Sequence, residues 1–156
     1  MIVADPTELA AVLKKGERLL GLDLGEKTIG LALSDIMLTV ATPLETMTRK
    51  KFTVDAEALI AHIKKHGVGG LVIGLPLNMN GTEGPSAQSA RAFARNFLAK
   101  HDLPILFWDE RLSTAAVTRT LIEADVSRAK RKDVVDKMAA SFILQGVLDF
   151  LSRRKS

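Results

Sequence analysis

Apolar and polar positions along the chain divide it into short segments of two different periods. Residues 18–24 and 29–34 are dense apolar runs separated by Gly25-Glu26-Lys27-Thr28, the signature of a β-hairpin closed by a short turn. A third strand is predicted over Leu38–Met47, with Pro43 confining it to a sheet edge or a bulge. Ala56, Leu59, Ile60 and Ile63 then recur at helical spacing and predict an amphipathic helix over 54–65, stopped before Gly67. The Gly-bounded run 69–75 reads as a buried strand, parallel to the first because a helix intervenes. A polar loop from Pro76 to Pro85 follows. A helix over 86–100, with Ala90, Phe93, Ala94 and Phe97 inward, leads to a strand at Pro104–Trp108. A further helix capped by Ser113 or Thr114 carries Ala116, Val117, Leu121 and Ile122. Ser127–Lys132 reads as a flexible basic linker, and a last helix runs over 133–151 with Val135, Met138, Phe142, Ile143, Val147 and Leu151 buried. Before all of this, Asp5-Pro6-Thr7-Glu8 reads as the start of a small helix, making residues 1–16 a helical extension.

The order is β-β-β-α-β-α-β-α-α, an antiparallel meander of three strands followed by two crossover units. It predicts an α/β fold with a five-stranded mixed sheet flanked by helices. At 156 residues, without an internal repeat, the chain is expected to form one domain with a substantial core.

Composition narrows the function classes. Cysteine is absent, which removes disulfides and thiolate metal sites and fits a reducing compartment. No apolar run is long enough to span a bilayer and no secretory signal is visible, so the expected location is the cytoplasm. The net charge is +4, but residues 127–156 alone carry eight basic residues against three acidic ones. A concentrated basic segment of this kind suits a polyanionic partner. His62 and His66 stand four apart, a metal-compatible spacing without an evident third ligand.

Acidic residues recur at three equivalent places. Asp23 closes the first strand; Asp109 and Glu110 close the last; Asp133 and Asp136 open the last helix on the face continued by Ala140, Ile143 and Val147. Two parallel strands ending side by side under a crossing helix would gather these acids, and gathered carboxylates need a cation. An all-oxygen donor set favours Mg²⁺ or Mn²⁺ over zinc, and such ions serve in-line phosphodiester hydrolysis. Each acid also has a local reading: Asp23 as a turn residue, Asp109 and Glu110 as ion-pair partners of Arg111, Asp133 as an acid complementing the helix dipole. Side chains alternate along a strand, so Asp109 and Glu110 cannot both face Asp23. The longer arm of Glu110 favours it, and on the helix Asp136 is preferred, with Asp133 auxiliary. Asn78, Asn80, Gly81 and Thr82 lie in a loop leaving the C-terminal end of a parallel strand, where open α/β sheets bind ligands. Arg111 beside it, and Arg128, Lys130, Arg131 and Lys132 before the helix acids, complete the candidate substrate-binding set, the basic run holding a phosphate backbone.

Four motifs in one order carry a resemblance. They are Gly21-Leu22-Asp23-Leu24-Gly25 with Gly30, Gly74-Leu75-Pro76 through Asn80-Gly81-Thr82-Glu83-Gly84, Asp109-Glu110-Arg111-Leu112-Ser113-Thr114, and Asp136-Lys137-Met138-Ala139-Ala140. Over about residues 17 to 152 the chain resembles the YqgF-type (RuvX-type) family of Holliday-junction resolvases or pre-16S rRNA nucleases, of the ribonuclease H-like fold. The resemblance implies divalent-metal phosphodiester hydrolysis, with Asp23, the Asp109–Glu110 pair and Asp136 as catalytic acids. Its implied partner is a precursor ribosomal RNA or branched DNA, met by a monomer or a homodimer. Two other classes compete. The Asp23–Gly30 hairpin is compatible with a phosphate-binding turn of ATP-dependent phosphotransferases, which need a second related domain. A non-catalytic nucleic-acid-binding module would use the acids structurally, although the aromatic content of 4% is poor for a base-stacking platform.

Overall fold

The computed structural model describes residues 1–112 and 128–154, with backbone alone for residues 112 and 128–136. Its strands are β1 (Ile2–Val3), β2 (Arg18–Leu24), β3 (Thr28–Ser34), β4 (Ala41–Thr48), β5 (Val68–Leu75) and β6 (Ile105–Asp109). Its helices are α1 (Pro6–Val12), α2 (Phe52–His66), α3 (Pro85–Lys100) and α4 (Arg128–Arg154), and a 3₁₀ turn, Glu110–Leu112, follows β6. The six strands form one sheet in the order β1-β6-β5-β2-β3-β4. The pairs β2–β3 and β3–β4 are antiparallel, whereas β2–β5, β5–β6 and β1–β6 are parallel.

The mixed sheet agrees with the sequence reading, with one strand more than expected. Ile2–Val3 pairs with Ile105–Leu106, so the first residues join the sheet, while the small helix expected after Asp5 is α1, its first turn capped by the Asp5 carboxylate. Two residues are too few to show a period, which is why the strand leaves no sequence signature. Pro43 lies on the edge strand β4, where the register shifts between Leu31 and Ala32. Both accommodations compensate for its missing N–H.

The sheet is covered on both faces, which explains the nearly continuous apolar runs of β2 and β5. Leu20, Leu22, Ile29, Leu31, Leu71, Ile73 and Ile105 face α2 and α3. Leu19, Ala32, Val72, Leu106 and Trp108 face α1 and α4. Most of these side chains are wholly buried, each leucine, isoleucine or valine worth about 1.5–3 kcal/mol relative to exposure. On α4 the buried stripe is Ala140, Ile143, Leu144, Val147, Leu148 and Leu151, while Met138 and Phe142 are only half-buried. Ile143, Val147 and Leu151 are buried as expected, Met138 and Phe142 lie at the margin of the stripe, and the Val135 side chain is outside the described residues.

The basic segment departs from expectation. Arg128–Lys132 forms the first residues of α4 and not a linker. The absence of apolar periodicity made the run look unstructured, yet Ala, Lys and Arg are good helix formers. The helix expected after Ser113 lies outside the described residues.

At the opposite end of the sheet from Asp23, Asp35 organises the β3–β4 turn. Its carboxylate accepts the N–H groups of Thr39 (2.7 Å) and Val40 (2.9 Å) and the Thr39 hydroxyl (2.7 Å). These bonds, led by the one from Val40, lower its pKa to about 2. A carboxyl depressed on folding stabilises the native state above its ordinary value of about 4, and the contribution disappears as pH falls towards the folded value. The Asp35→Asn variant should therefore show a flatter fall of Tm between about pH 5 and pH 2 than the parent chain. Parallel melting curves across that window would refute the assignment.

Candidate active site

Asp23 is the last but one residue of β2 and only 8% exposed. Leu20 and Leu22 point to the α2/α3 face, so strand alternation sends Gly21 and Asp23 to the α4 face. Gly21 is where α4 comes closest: a Cβ there would lie 2.8 Å from Leu144 Cβ and 3.1 Å from the Ala140 carbonyl. The hairpin beyond Asp23 is short because Gly25 N–H donates to Thr28 O at 2.8 Å, and Arg49 donates to Gly25 O at 2.7 Å from the side. These glycines serve a tight turn and close packing.

The register decides which acid of the Asp109–Glu110 pair joins Asp23. Leu22 pairs with Ile73 and Gly74 pairs with Trp108, so continuing β2 by one residue brings Asp23 alongside Gly74. Ile105 and Phe107 belong to the α2/α3 face and Leu106 and Trp108 to the α4 face. Asp109 therefore follows Phe107, and Glu110 turns to the α4 face. A Cβ on Gly74 would stand 3.2 Å from Glu110 Cγ and 3.3 Å from Glu110 Cδ. The Glu110 carboxylate arm thus lies across Gly74 of β5, and Asp23 stands on β2, the strand on the other side of β5. Gly74 makes the space for the arm, a role for which an interior strand glycine is the only sequence signal.

Asp109 is engaged elsewhere. It forms a bidentate ion pair with Arg111, whose Nε lies 3.1 Å from both carboxylate oxygens and whose Nη2 lies 2.7 Å from Oδ2. It also accepts the Arg111 backbone N–H at 2.9 Å, which caps the 3₁₀ turn carrying Glu110. The guanidinium beside it, above all through the side-chain bond, holds the Asp109 carboxyl below the usual range, and the same pair raises Arg111.

The loop between β5 and α3 folds back on itself. Asn78 N–H donates to Thr82 O (2.9 Å), Gly81 N–H donates to Asn78 O (2.8 Å), and Asn80 Oδ1 receives the Thr82 N–H (3.1 Å) and hydroxyl (2.6 Å). Gly81 takes a φ of +86°, where a side chain would be strained. The candidate substrate residues Asn78, Asn80, Gly81 and Thr82 are thus one compact turn at the C-terminal end of β5. Composition did not reveal the Glu83–Arg91 ion pair (2.7 Å) at its foot, nor the Arg91 guanidinium 4.9 Å from the Phe107 ring centroid. That ion pair lowers Glu83 and raises Arg91, in each case chiefly through the side-chain bond.

Asp136 and Asp133 lie in α4, upstream of the buried Ala140; their side chains, like those of Arg128, Lys130, Arg131 and Lys132, are outside the described residues. Among the described residues no group of three or more His, Asp or Glu could hold a metal. His62 and His66 are separate from this place: His62 Nε2 is 2.6 Å from Glu45 Oε1, and the two rings stack at 5.8 Å.

The family model described as "RuvX: Holliday junction resolvase" matches residues 17–150. A protein of Paramagnetospirillum magneticum named "Putative pre-16S rRNA nuclease" is 62% identical over 149 residues, covering 96% of each chain. One of Methylocella silvestris with the same name is 57% identical over 151 residues, covering 97% of this chain and 94% of the relative. Among solved structures, "T. thermophilus RuvC in complex with Holliday junction substrate" superposes with a TM-score of 0.55 at 11% identity, covering 90% of this chain and 97% of that one. At that identity the likeness bears on fold, and it makes the mixed sheet ribonuclease H-like. With sequence match and fold in agreement, the chain belongs to the RuvX family, described as Holliday junction resolvases.

Proposed function

We propose that this chain is a divalent-metal-dependent nuclease hydrolysing phosphodiester bonds in structured nucleic acid. The observation that carries the reading is the seating of Glu110 across Gly74, on the same face as the buried Asp23, at the C-terminal ends of β6 and β2, the two strands that flank β5. Family membership and the names of its relatives support the same reading. The names favour precursor 16S rRNA as substrate, and the family description favours a Holliday junction.

The donor chemistry suits the implied ion: Asp23 and Glu110 offer only carboxylate oxygens, in a chain without cysteine. Asp23, Glu110 and Asp136 would hold Mg²⁺ or Mn²⁺, with Asp133 auxiliary. A bound divalent ion supplies Lewis acidity towards the phosphate and lowers the pKa of an attacking water. The chain's own contribution is positional. Asp23 is fixed by a strand paired on both sides, and Glu110 by a capped turn and the gap at Gly74. The basic N-terminal residues of α4 attract the phosphate backbone.

The purified chain should cleave one of two substrates, a four-way DNA junction or a precursor 16S rRNA, with Mg²⁺ or Mn²⁺ and not with EDTA. Cleavage of neither, under conditions where a control resolvase and a control ribonuclease work, would defeat the proposal. Solution mass belongs with the assay, because resolving a junction takes two active sites and trimming an RNA end takes one. Replacing Lys130, Arg131 and Lys132 by Gln should flatten the dependence of log K on log salt by about 0.7–0.9 for each phosphate no longer neutralised. An unchanged slope would remove these three residues from the binding surface.

A further inference from the structure

The geometry points to Asp109 and Arg111 as positioning residues: together they latch the 78–82 loop to the end of β6, so that it meets substrate as a fixed arm beside Glu110. This rests on the nuclease reading for the identity of the substrate and on the hydrogen bonds alone for the latch. One edge of the Arg111 guanidinium is spent on the two Asp109 oxygens. The remaining corner, Nη1, donates to Met79 O at 3.1 Å and reaches Asn78 O at 3.4 Å. Only a planar fork can serve a carboxylate on one side and a loop backbone on the other; a lysine ammonium would have to choose.

The loop is tied at its foot as well, through Glu83 to Arg91 and from Arg91 onto the Phe107 ring. Both ends of the loop are thereby referred to β6, the strand that delivers Glu110. The tip itself adds nothing to the core: Met79 is 97% exposed. Ordering exposed backbone costs conformational entropy, and here no apolar burial offsets it, so the held shape is of use to a ligand and not to the fold. Asp109 lies away from Asp23, on the opposite face of the sheet, which separates its duty from that of Glu110.

The test compares Arg111→Ala, Arg111→Lys and Asp109→Asn with Glu110→Gln in the full chain. The first three should accelerate hydrogen exchange at the Asn78 and Gly81 amides about tenfold or more, the worth of one charge-assisted hydrogen bond, while amides of β2 and β5 stay protected. They should raise KM for the cleaved substrate by a similar factor, with kcat falling by less than KM rises, whereas Glu110→Gln should lose kcat with its loop amides unchanged. Arg111→Lys should fail to rescue. Loop exchange identical to the parent, or a loss confined to kcat in Asp109→Asn, would overturn the latch. If the parent chain cleaves nothing, the nuclease reading fails on its own, and the latch is judged by loop exchange and by Kd for a four-way DNA junction. An unaltered Kd would then overturn its role in binding.

Discussion

Replacing Asp23 by Asn, or Glu110 by Gln, is expected to lower metal-dependent cleavage by about 10²–10³-fold or more, the scale on which one preorganised electrostatic group is felt. Both changes keep the side chain's size and remove its charge, so packing against Gly74 and α4 survives. Asp23 is nearly buried, and burying a carboxylate carries a desolvation cost that a neutral amide largely escapes. Tm should accordingly stay within about 3 °C of the parent, a change of about 1 kcal/mol for a domain of this size. Should activity and folding fall together, Asp23→Glu separates the two, since it keeps the charge and moves it by one methylene. Full activity in Asp23→Asn, with contaminating nucleases excluded, would place the chemistry elsewhere.

The second large effect concerns stability. A methyl group at Gly21 would press on Leu144 Cβ at 2.8 Å and on the Ala140 carbonyl at 3.1 Å, both attached to the backbone of α4. No rotamer change relieves this clash, so the helix itself must shift. Overpacking of this kind costs about 1–3 kcal/mol, and Gly21→Ala should lower Tm by about 3–10 °C. The same substitution at Gly74 makes an informative contrast. There the nearest atom is Ile143 Cδ1 at 2.5 Å, the free end of a flexible side chain, followed by Glu110. Gly74→Ala should therefore cost less stability than Gly21→Ala but more activity, because it displaces the Glu110 arm. Equal melting temperatures for Gly21→Ala and the parent would show that α4 has room to spare above β2.

Much of this arrangement was legible before any coordinates. Gly25, Gly67 and the apolar periods of 54–63 and 90–97 place the hairpin and two helices within a residue or two, because turn chemistry and amphipathic spacing are local signals. Three things were not local. Ile2–Val3 becomes a strand only because β6 offers an edge to it. The choice between Asp109 and Glu110 depends on where β6 ends relative to β5, and a shift of one residue would have exchanged their faces. The length of the Glu110 arm says nothing of which face it takes: the register and the missing Cβ of Gly74 send it to the α4 face. Likewise Arg111 looked like a cation for substrate, whereas most of its donors are spent on Asp109 and on the loop backbone.

The strand order also has a consequence for how the chain comes into being. A nascent polypeptide releases β1 and β2 first, yet the neighbour of β1 is β6, about a hundred residues later. The parallel neighbour of β2 is β5, and that pairing waits until α2 has been made. Pairings of such long span form slowly, since loop closure precedes any gain from them. The β2–β4 meander can form early as an open ribbon, with Asp23 in place but without the strand that brings Glu110. Glu110 therefore reaches the face of Asp23 only after synthesis has passed β6, so a chain interrupted before that point presents one of the two proposed carboxylates without the other.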